Sequence, residues 1–216
     1  MRTDLPILYS FRRCPYAMRA RAALLVSEQQ VCLREIILSK KPEHMLTISP
    51  KGTVPVLLLT DGTVIDESLE IMLWTLQRSD PKGWLKPSVG TLDDALALIS
   101  KCDGEFKTNL DRFKYADKNE NADPVFHRTC AEIFLEELET RLVTTRFLCG
   151  KTQTLADQAI MPFVRQFAGA AGSWFNTAPY PATRAWLNAL IAAPMFDAIM
   201  AKVEPWQENS PEIILS

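Results

Sequence analysis

The spacing of apolar residues changes once along the chain, near residue 80, and this change limits the possible folds more than any other feature. Up to about residue 80, short strand-like and helix-like segments alternate in the order βαβ-α-ββ-α. From about residue 90, apolar residues recur at three-, four- and seven-residue steps, which is typical of amphipathic helices. We therefore predict an α/β N-terminal domain followed by an all-α C-terminal domain.

The first predicted domain has the element order of a thioredoxin-like fold, in which a βαβ unit is followed by a hairpin and a closing helix. Predicted strands cover residues 5–9, 31–37, 56–59 and 63–65, and predicted helices cover residues 15–27, 42–48 and 67–77. Asp61-Gly62, between the last two strands, is a strong hairpin signal. A stretch rich in proline and glycine indicates a linker at residues 80–89, so we predict domains at residues 1–79 and 90–216.

The second predicted domain contains one long helix from Leu92 to Phe113 and another that begins at Asp123-Pro124. Further helices are predicted at residues 154–167, 182–192 and 194–203. The tail, residues 204–216, contains Pro205 and Pro211, and we expect it to be irregular and to lie on the surface.

Cys14 directly precedes Pro15, the first residue of the first predicted helix, where proline is well tolerated. The unpaired N–H groups of a helix N-terminus and the positive end of its dipole favour a thiolate over a thiol. Arg12 and Arg13 add positive charge nearby. We therefore predict that Cys14 is a reactive nucleophile. Ala17 stands where a Cys-x-x-Cys pair has its second thiol, so the resolving thiol must come from elsewhere, most economically from a small molecule.

Composition narrows the class of protein. A net charge of −2 gives no electrostatic argument for binding nucleic acid or an anionic membrane. No signal peptide or membrane-spanning run is evident, and five cysteines, an odd number, predict a reducing cytoplasmic location.

A buried, inert thiol is the usual alternative to a reactive one, and we assign that role to the other four cysteines: Cys32, Cys102, Cys130 and Cys149. Neither histidine has the spacing of a metal-ligand pair, and we expect no metal.

Three further motifs surround the predicted hairpin and the helix before it. Val54-Pro55 precedes the hairpin, and such a proline is either a simple edge-strand start or a cis residue that leaves Val54 open to a peptide-like ligand. Glu67-Ser68 opens a helix, where it acts as a cap, as a site for a ligand carboxylate and amine, or as both. Lys41 either meets a ligand carboxylate or is a solvated surface charge.

Together these motifs resemble those of the cytosolic glutathione transferases, in particular the cysteine-type, omega-like branch. The resemblance is carried by Cys-Pro-Tyr-Ala after the first strand, Lys-Pro before the short helix, Val-Pro before the hairpin and Glu-Ser after it. The segment Thr154-Leu155-Ala156-Asp157 resembles the capping motif of that family's helical domain, and its residues also fit a capping box. The resemblance covers nearly the whole chain and implies the glutathione transferase fold.

The resemblance implies that one group of residues holds glutathione as co-substrate: Cys14, Tyr16, Lys41, Val54, Pro55, Glu67 and Ser68. The catalytic residue, Cys14, would face or bond to the glutathione sulfur, with Tyr16 beside the thiol. The backbone of Val54, before a cis proline, would pair with the cysteinyl part. The helix start would hold the γ-glutamyl amine and carboxylate, and Lys41 would meet the glycyl carboxylate.

Three functions remain open at this stage. The first is a thiol transferase that passes through a mixed disulfide between Cys14 and glutathione, with dehydroascorbate, mixed disulfides or glutathionyl conjugates as substrates. The second is a conventional transferase in which activated glutathione attacks an apolar electrophile and Cys14 takes no part. Tyr9 and Ser10 lie near the position at which other branches of the family have a hydroxyl that stabilises the glutathione thiolate. The third is a non-catalytic interaction module. The family also implies a homodimer and an acceptor pocket between the domains, with Phe106, Phe113 and Tyr115 as possible linings, although we expect the two phenylalanines to pack in a core.

Overall fold

The computed structural model describes residues 4–118 and 123–216. Its contacts divide the chain into two compact units. The first unit comprises Met1–Lys82 together with Ala193–Ser216, and the second comprises Gly83–Ala192. The predicted α/β half and all-helical half are confirmed, although the last residues group with the first unit rather than with the helical residues.

The N-terminal part of the first unit has the predicted βαβ-α-ββ-α order. Its elements are β1 Ile7–Ser10, α1 Pro15–Val26, β2 Val31–Glu35, α2 Glu43–Ile48, β3 Val56–Leu58, β4 Val64–Ile65 and α3 Ser68–Arg78. β1 lies parallel to β2 and antiparallel to β3, and β3 and β4 form the predicted hairpin.

The alternation of side chains along β1 builds two apolar clusters. Leu8 packs in one cluster with Leu24 of α1 and Ile71 of α3. Tyr9 belongs to the other, which includes Met45 of α2. Packing on the same strand therefore fixes the position of α1, and of Cys14 directly before it, relative to α3.

The second unit consists of helices. They are α4 Leu92–Lys101, α5 Lys107–Lys114, α6 Pro124–Thr144, α7 Leu155–Ala171, α8 Ser173–Thr177 and α9 Pro181–Ile191. The predicted long helix is continuous, but a π-helical segment, Cys102–Phe106, separates α4 from α5. Phe106 is buried against Phe134 and Phe167, so its expected core role is confirmed. Residues 119–122, directly before Asp123, lie outside the described residues.

The predicted capping box of α7 is present and fully buried. One carboxylate oxygen of Asp157 accepts hydrogen bonds from the backbone N–H and the hydroxyl of Thr154, at 2.8 and 2.9 Å. The other accepts from the backbone N–H of Leu148 and from Nε1 of Trp186, both at 2.9 Å. Asp157 therefore joins the start of α7 to the preceding loop and to α9.

The prediction of an irregular tail was wrong at its end. After α10, Pro194–Ile199, the chain reaches β5, Ile213–Leu215, which pairs antiparallel with β2 and gives the sheet order β4-β3-β1-β2-β5. Three apolar residues are too few to be recognised as a strand from sequence. They form one here because β2 has an open edge whose backbone groups need partners.

None of the helices within residues 4–118 and 123–216 combines the length and the apolar character that a membrane crossing requires.

Candidate active site

Cys14 occupies the N-cap position of α1, as predicted. It ends a tight turn in which its backbone N–H donates to the carbonyl of Phe11 at 2.9 Å, and its own carbonyl accepts from Met18. The side chain is half-buried. The thiol therefore lies at the helix terminus whose unpaired N–H groups and dipole favour a thiolate.

The structure brings Cys14 next to the Val54-Pro55 motif, which is 40 residues away in sequence. The peptide bond between Val54 and Pro55 is cis, which is the alternative that the resemblance to the glutathione transferases implied. The Cys14 Sγ lies 3.6 Å from the Val54 carbonyl oxygen, a distance at which a thiol donates a hydrogen bond. The thiol thus faces the backbone just before β3.

Ser68 and Glu67 begin α3 and lie in different environments. Ser68 is buried, and its hydroxyl lies 3.4 Å from a guanidinium nitrogen of Arg19, which belongs to α1. Glu67 is exposed and pairs with Lys51 at 2.5 Å, and Lys51 also contacts Asp66 at 3.0 Å. Hydrogen bonds to Glu67 and Asp66 raise the pKa of Lys51 to about 12. Sequence analysis missed Lys51, because no local pattern links it to the helix start 16 residues later.

Lys41 lies beside the loop that leads to Val54. It directly precedes Pro42, the N-cap of α2, and its side chain is exposed. The ammonium is close to Gly52, where a Cβ atom would lie 3.7 Å from Nζ. Gly52 has a φ of +61°, which favours glycine at this turn. Tyr16, in the first turn of α1, is half-buried, and its ring lies 5.5 Å from the Arg19 guanidinium.

The two hydroxyls considered as alternatives to Cys14 are both buried and bonded to other side chains. The Ser10 Oγ accepts a hydrogen bond from Nε of Arg21 at 2.8 Å. The Tyr9 hydroxyl accepts from Arg34 at 2.9 Å and lies 2.7 Å from Nδ1 of His44. Burial raises the pKa of Tyr9 despite the nearby guanidinium. Neither hydroxyl is placed as an exposed group that could stabilise a bound thiolate.

A buried ion pair lies beneath the turn that carries Cys14. Arg21 of α1 pairs with Glu35 at the end of β2, and both side chains are almost inaccessible. Glu35 also accepts a hydrogen bond from the backbone N–H of Arg12 at 2.8 Å. Sequence analysis missed this pair because arginine and glutamate are normally exposed, and nothing local to α1 or β2 marks them as partners.

Within the described part of the chain, no three His, Cys, Asp or Glu side chains gather as metal ligands would. All five cysteines lie in that part, and none forms a disulfide. What the site offers is a thiol at one helix N-terminus, a cis-proline backbone beside it and a second helix start with an exposed carboxylate.

Comparisons with known proteins agree with this arrangement. A family model described as the N-terminal domain of glutathione S-transferase matches residues 8–83, and one described as the C-terminal domain matches residues 115–194. The chain is 28% identical to glutathione S-transferase DHAR2 of Arabidopsis thaliana over 88% of its own length and 85% of that protein. It is 26% identical to glutathione S-transferase omega-1 of Sus scrofa, over 95% and 87%.

The fold also matches solved structures. A glutathione transferase family member from Pseudomonas fluorescens, with two glutathione molecules bound, superposes with a TM-score of 0.78. The two chains are 18% identical, and the match covers 91% of this chain and 92% of the other. The two family models together span most of the sequence, and the chain therefore belongs to the glutathione S-transferase superfamily.

Proposed function

We propose that the protein is a glutathione-dependent thiol transferase that acts through Cys14. The observation that carries this proposal is the position of the thiol, at the N-cap of α1 and 3.6 Å from the Val54 carbonyl. Similarity to the DHAR2 and omega-1 proteins supports the same conclusion. The buried hydroxyls of Tyr9 and Ser10 argue against the conventional conjugating mechanism, which needs an activating hydroxyl at the bound thiol.

Glutathione would bind along the elements that surround Cys14. The backbone of Val54, before cis Pro55, would pair with the cysteinyl part as an added strand. The start of α3, with Glu67 and Ser68, would bind the γ-glutamyl amine and carboxylate. Lys41 would bind the glycyl carboxylate, and Tyr16 would lie beside the sulfur.

The proposed reaction consists of two thiol–disulfide exchanges. The Cys14 thiolate attacks the glutathione sulfur of a mixed disulfide, the sulfur–sulfur bond breaks, and the other thiolate leaves and takes up a proton. Cys14 is then joined to glutathione. The thiolate of a second glutathione attacks the glutathione sulfur of this adduct, which restores Cys14 and releases oxidised glutathione.

The direct test is mass spectrometry of the intact protein after incubation with oxidised glutathione. We expect the wild type to gain one glutathione, lost again on addition of reduced glutathione, and Cys14→Ser to gain none. Cys130→Ser is the matched control: contrary to the expectation from sequence, Cys130 is half-buried like Cys14, whereas Cys32, Cys102 and Cys149 are buried. Glutathione binding without an adduct would instead favour conjugation, and absence of both would favour a non-catalytic module.

We further propose that the protein works as a homodimer in the reducing cytoplasm, with small-molecule or protein disulfides as substrates. None of the five cysteines forms a disulfide, which is typical of proteins in a reducing compartment. Size-exclusion chromatography with light scattering tests the dimer.

A further inference from the structure

We propose that Glu35 is a positioning residue for Cys14: its carboxylate, held by Arg21, fixes the turn that places the thiol at the start of α1. This inference rests on the proposed role of Cys14 as the nucleophile. It assigns a function to a buried ion pair that the glutathione-binding residues do not include.

The contact between Glu35 and the turn is direct. The turn runs from Phe11 to Cys14 and is closed by the 2.9 Å hydrogen bond between these residues. Arg12, its second residue, donates its backbone N–H to the Glu35 Oε1 at 2.8 Å. Glu35 lies opposite Ser10 in the register of β1 and β2, so the carboxylate is placed where β1 leaves the sheet. The sheet therefore holds the turn through one side chain.

Arg21 fixes the orientation of that carboxylate. It pairs with the second oxygen, Oε2, donates from Nε to the Ser10 hydroxyl at 2.8 Å, and donates from a terminal nitrogen to the Ile199 carbonyl at 3.0 Å. The Glu35 side chain is only 8% exposed. A buried carboxylate is costly without a partner, so the arginine is what allows an acidic acceptor to lie here.

The position of the turn matters because the effect of a helix terminus falls off within one turn of the helix. Cys14 is both the last residue of the turn and the N-cap of α1. If the turn shifts, the sulfur moves relative to the unpaired N–H groups, and the thiolate loses stabilisation. We therefore expect loss of the Glu35 acceptor to lower the reactivity of Cys14 without altering any residue that contacts the thiol.

Two double variants separate this role from the stability of the ion pair. Arg21→Leu/Glu35→Gln and Arg21→Leu/Glu35→Leu both remove the pair, but only the first keeps an oxygen that can accept the Arg12 N–H. The readout is the rate of Cys14 alkylation by iodoacetamide as a function of pH, mapped by peptide mass spectrometry. Cys32, which is buried in β2, reports unfolding if it becomes alkylated.

We expect the glutamine variant to keep the wild-type pH profile. In the leucine variant, the midpoint should move to higher pH and the rate at neutral pH should fall about tenfold, less than the ~100-fold that a displacement of about 1 Å can cost a reaction. Identical profiles in the two folded variants would overturn the proposal. The alkylation comparison is valid even if the wild type forms no glutathione adduct, so failure of the proposed function can be distinguished from failure of this inference.

A second pair of variants decides the question if the leucine variant unfolds. Arg12→Pro removes the N–H donor and leaves the ion pair intact, and proline suits the second position of a tight turn. Arg12→Ala removes the same side chain but keeps the donor. Slower alkylation of Cys14 in the proline variant than in the alanine variant would support the inference, and equal rates would refute it.

Discussion

Replacement of Asp157 should cost more stability than any other change of a single capping residue in the described chain. Its carboxylate accepts four hydrogen bonds, and the residue is fully buried. In Asp157→Ala all four donors lose their acceptor. A buried donor left unsatisfied costs about 1–3 kcal/mol, and the lower value applies if water enters the space. At about 1 kcal/mol for each donor, the free energy of unfolding should fall by about 4 kcal/mol.

A conservative replacement should cost less. Asp157→Asn keeps one oxygen, and the hydroxyl of Thr154 can rotate to accept from the new amide group. One backbone donor then lacks an acceptor, so we expect a loss of about 2 kcal/mol. The free energies of unfolding are measured by equilibrium urea denaturation at equal protein concentrations.

The chain provides its own control for this prediction. α4 begins with the same Thr-x-x-Asp capping box, in which Asp94 accepts from the backbone and hydroxyl of Thr91 at 2.8 Å, but this box is exposed. Water can replace the lost acceptor there, so Asp94→Ala should destabilise far less than Asp157→Ala. Equal losses in the two variants would refute the reasoning, because Asp157 is buried and also accepts hydrogen bonds from Leu148 and Trp186, whereas Asp94 is exposed and accepts from Thr91.

Three further predictions concern the site and the sheet. Cys14→Ser should abolish thiol transfer in a coupled assay with glutathione, whereas Cys130→Ser should retain it; retention by the Cys14 variant would contradict the mechanism. Glu67→Gln should weaken glutathione binding about tenfold in calorimetry, since hydrogen bonds to charged groups contribute about 1.5–3 kcal/mol. Glu70→Gln, one turn further along α3, should bind normally, and equal effects would exclude a specific role for Glu67. Deletion of Ile213–Leu215 should lower the melting temperature and increase light scattering, because it opens the edge of β2; unchanged scattering would show that the edge is otherwise protected.

The sequence was informative wherever the structural cause is local. A proline after Cys14, a glycine after Asp61 and a Thr-x-x-Asp box before α7 each act on the few residues around them, and the corresponding helix starts and turn are found in the structure. The βαβ-α-ββ-α order could be predicted for the same reason, since each element has its own periodicity.

What could not be predicted depends on residues that are distant in sequence. Glu35 and Arg21 become partners only when α1 packs on β2, and Lys51 meets Glu67 only when the hairpin brings α3 back beside its loop. β5 is a strand only because β2 leaves an edge open. In each case the deciding energy comes from tertiary packing, for which one sequence carries no local signal.

The position of β5 has a consequence for synthesis of the protein. The strand that completes the sheet of the first unit is separated from β4 by the whole second unit. On the ribosome, β1 to β4 can form early, but β2 must wait with an unpaired edge until the entire helical unit has been translated. The order of the elements therefore affects the order of folding. The first unit can begin to fold earlier, but the helical unit can complete its fold before the sheet of the first unit is complete. During this interval the edge of β2 is open to pairing with a strand of another chain.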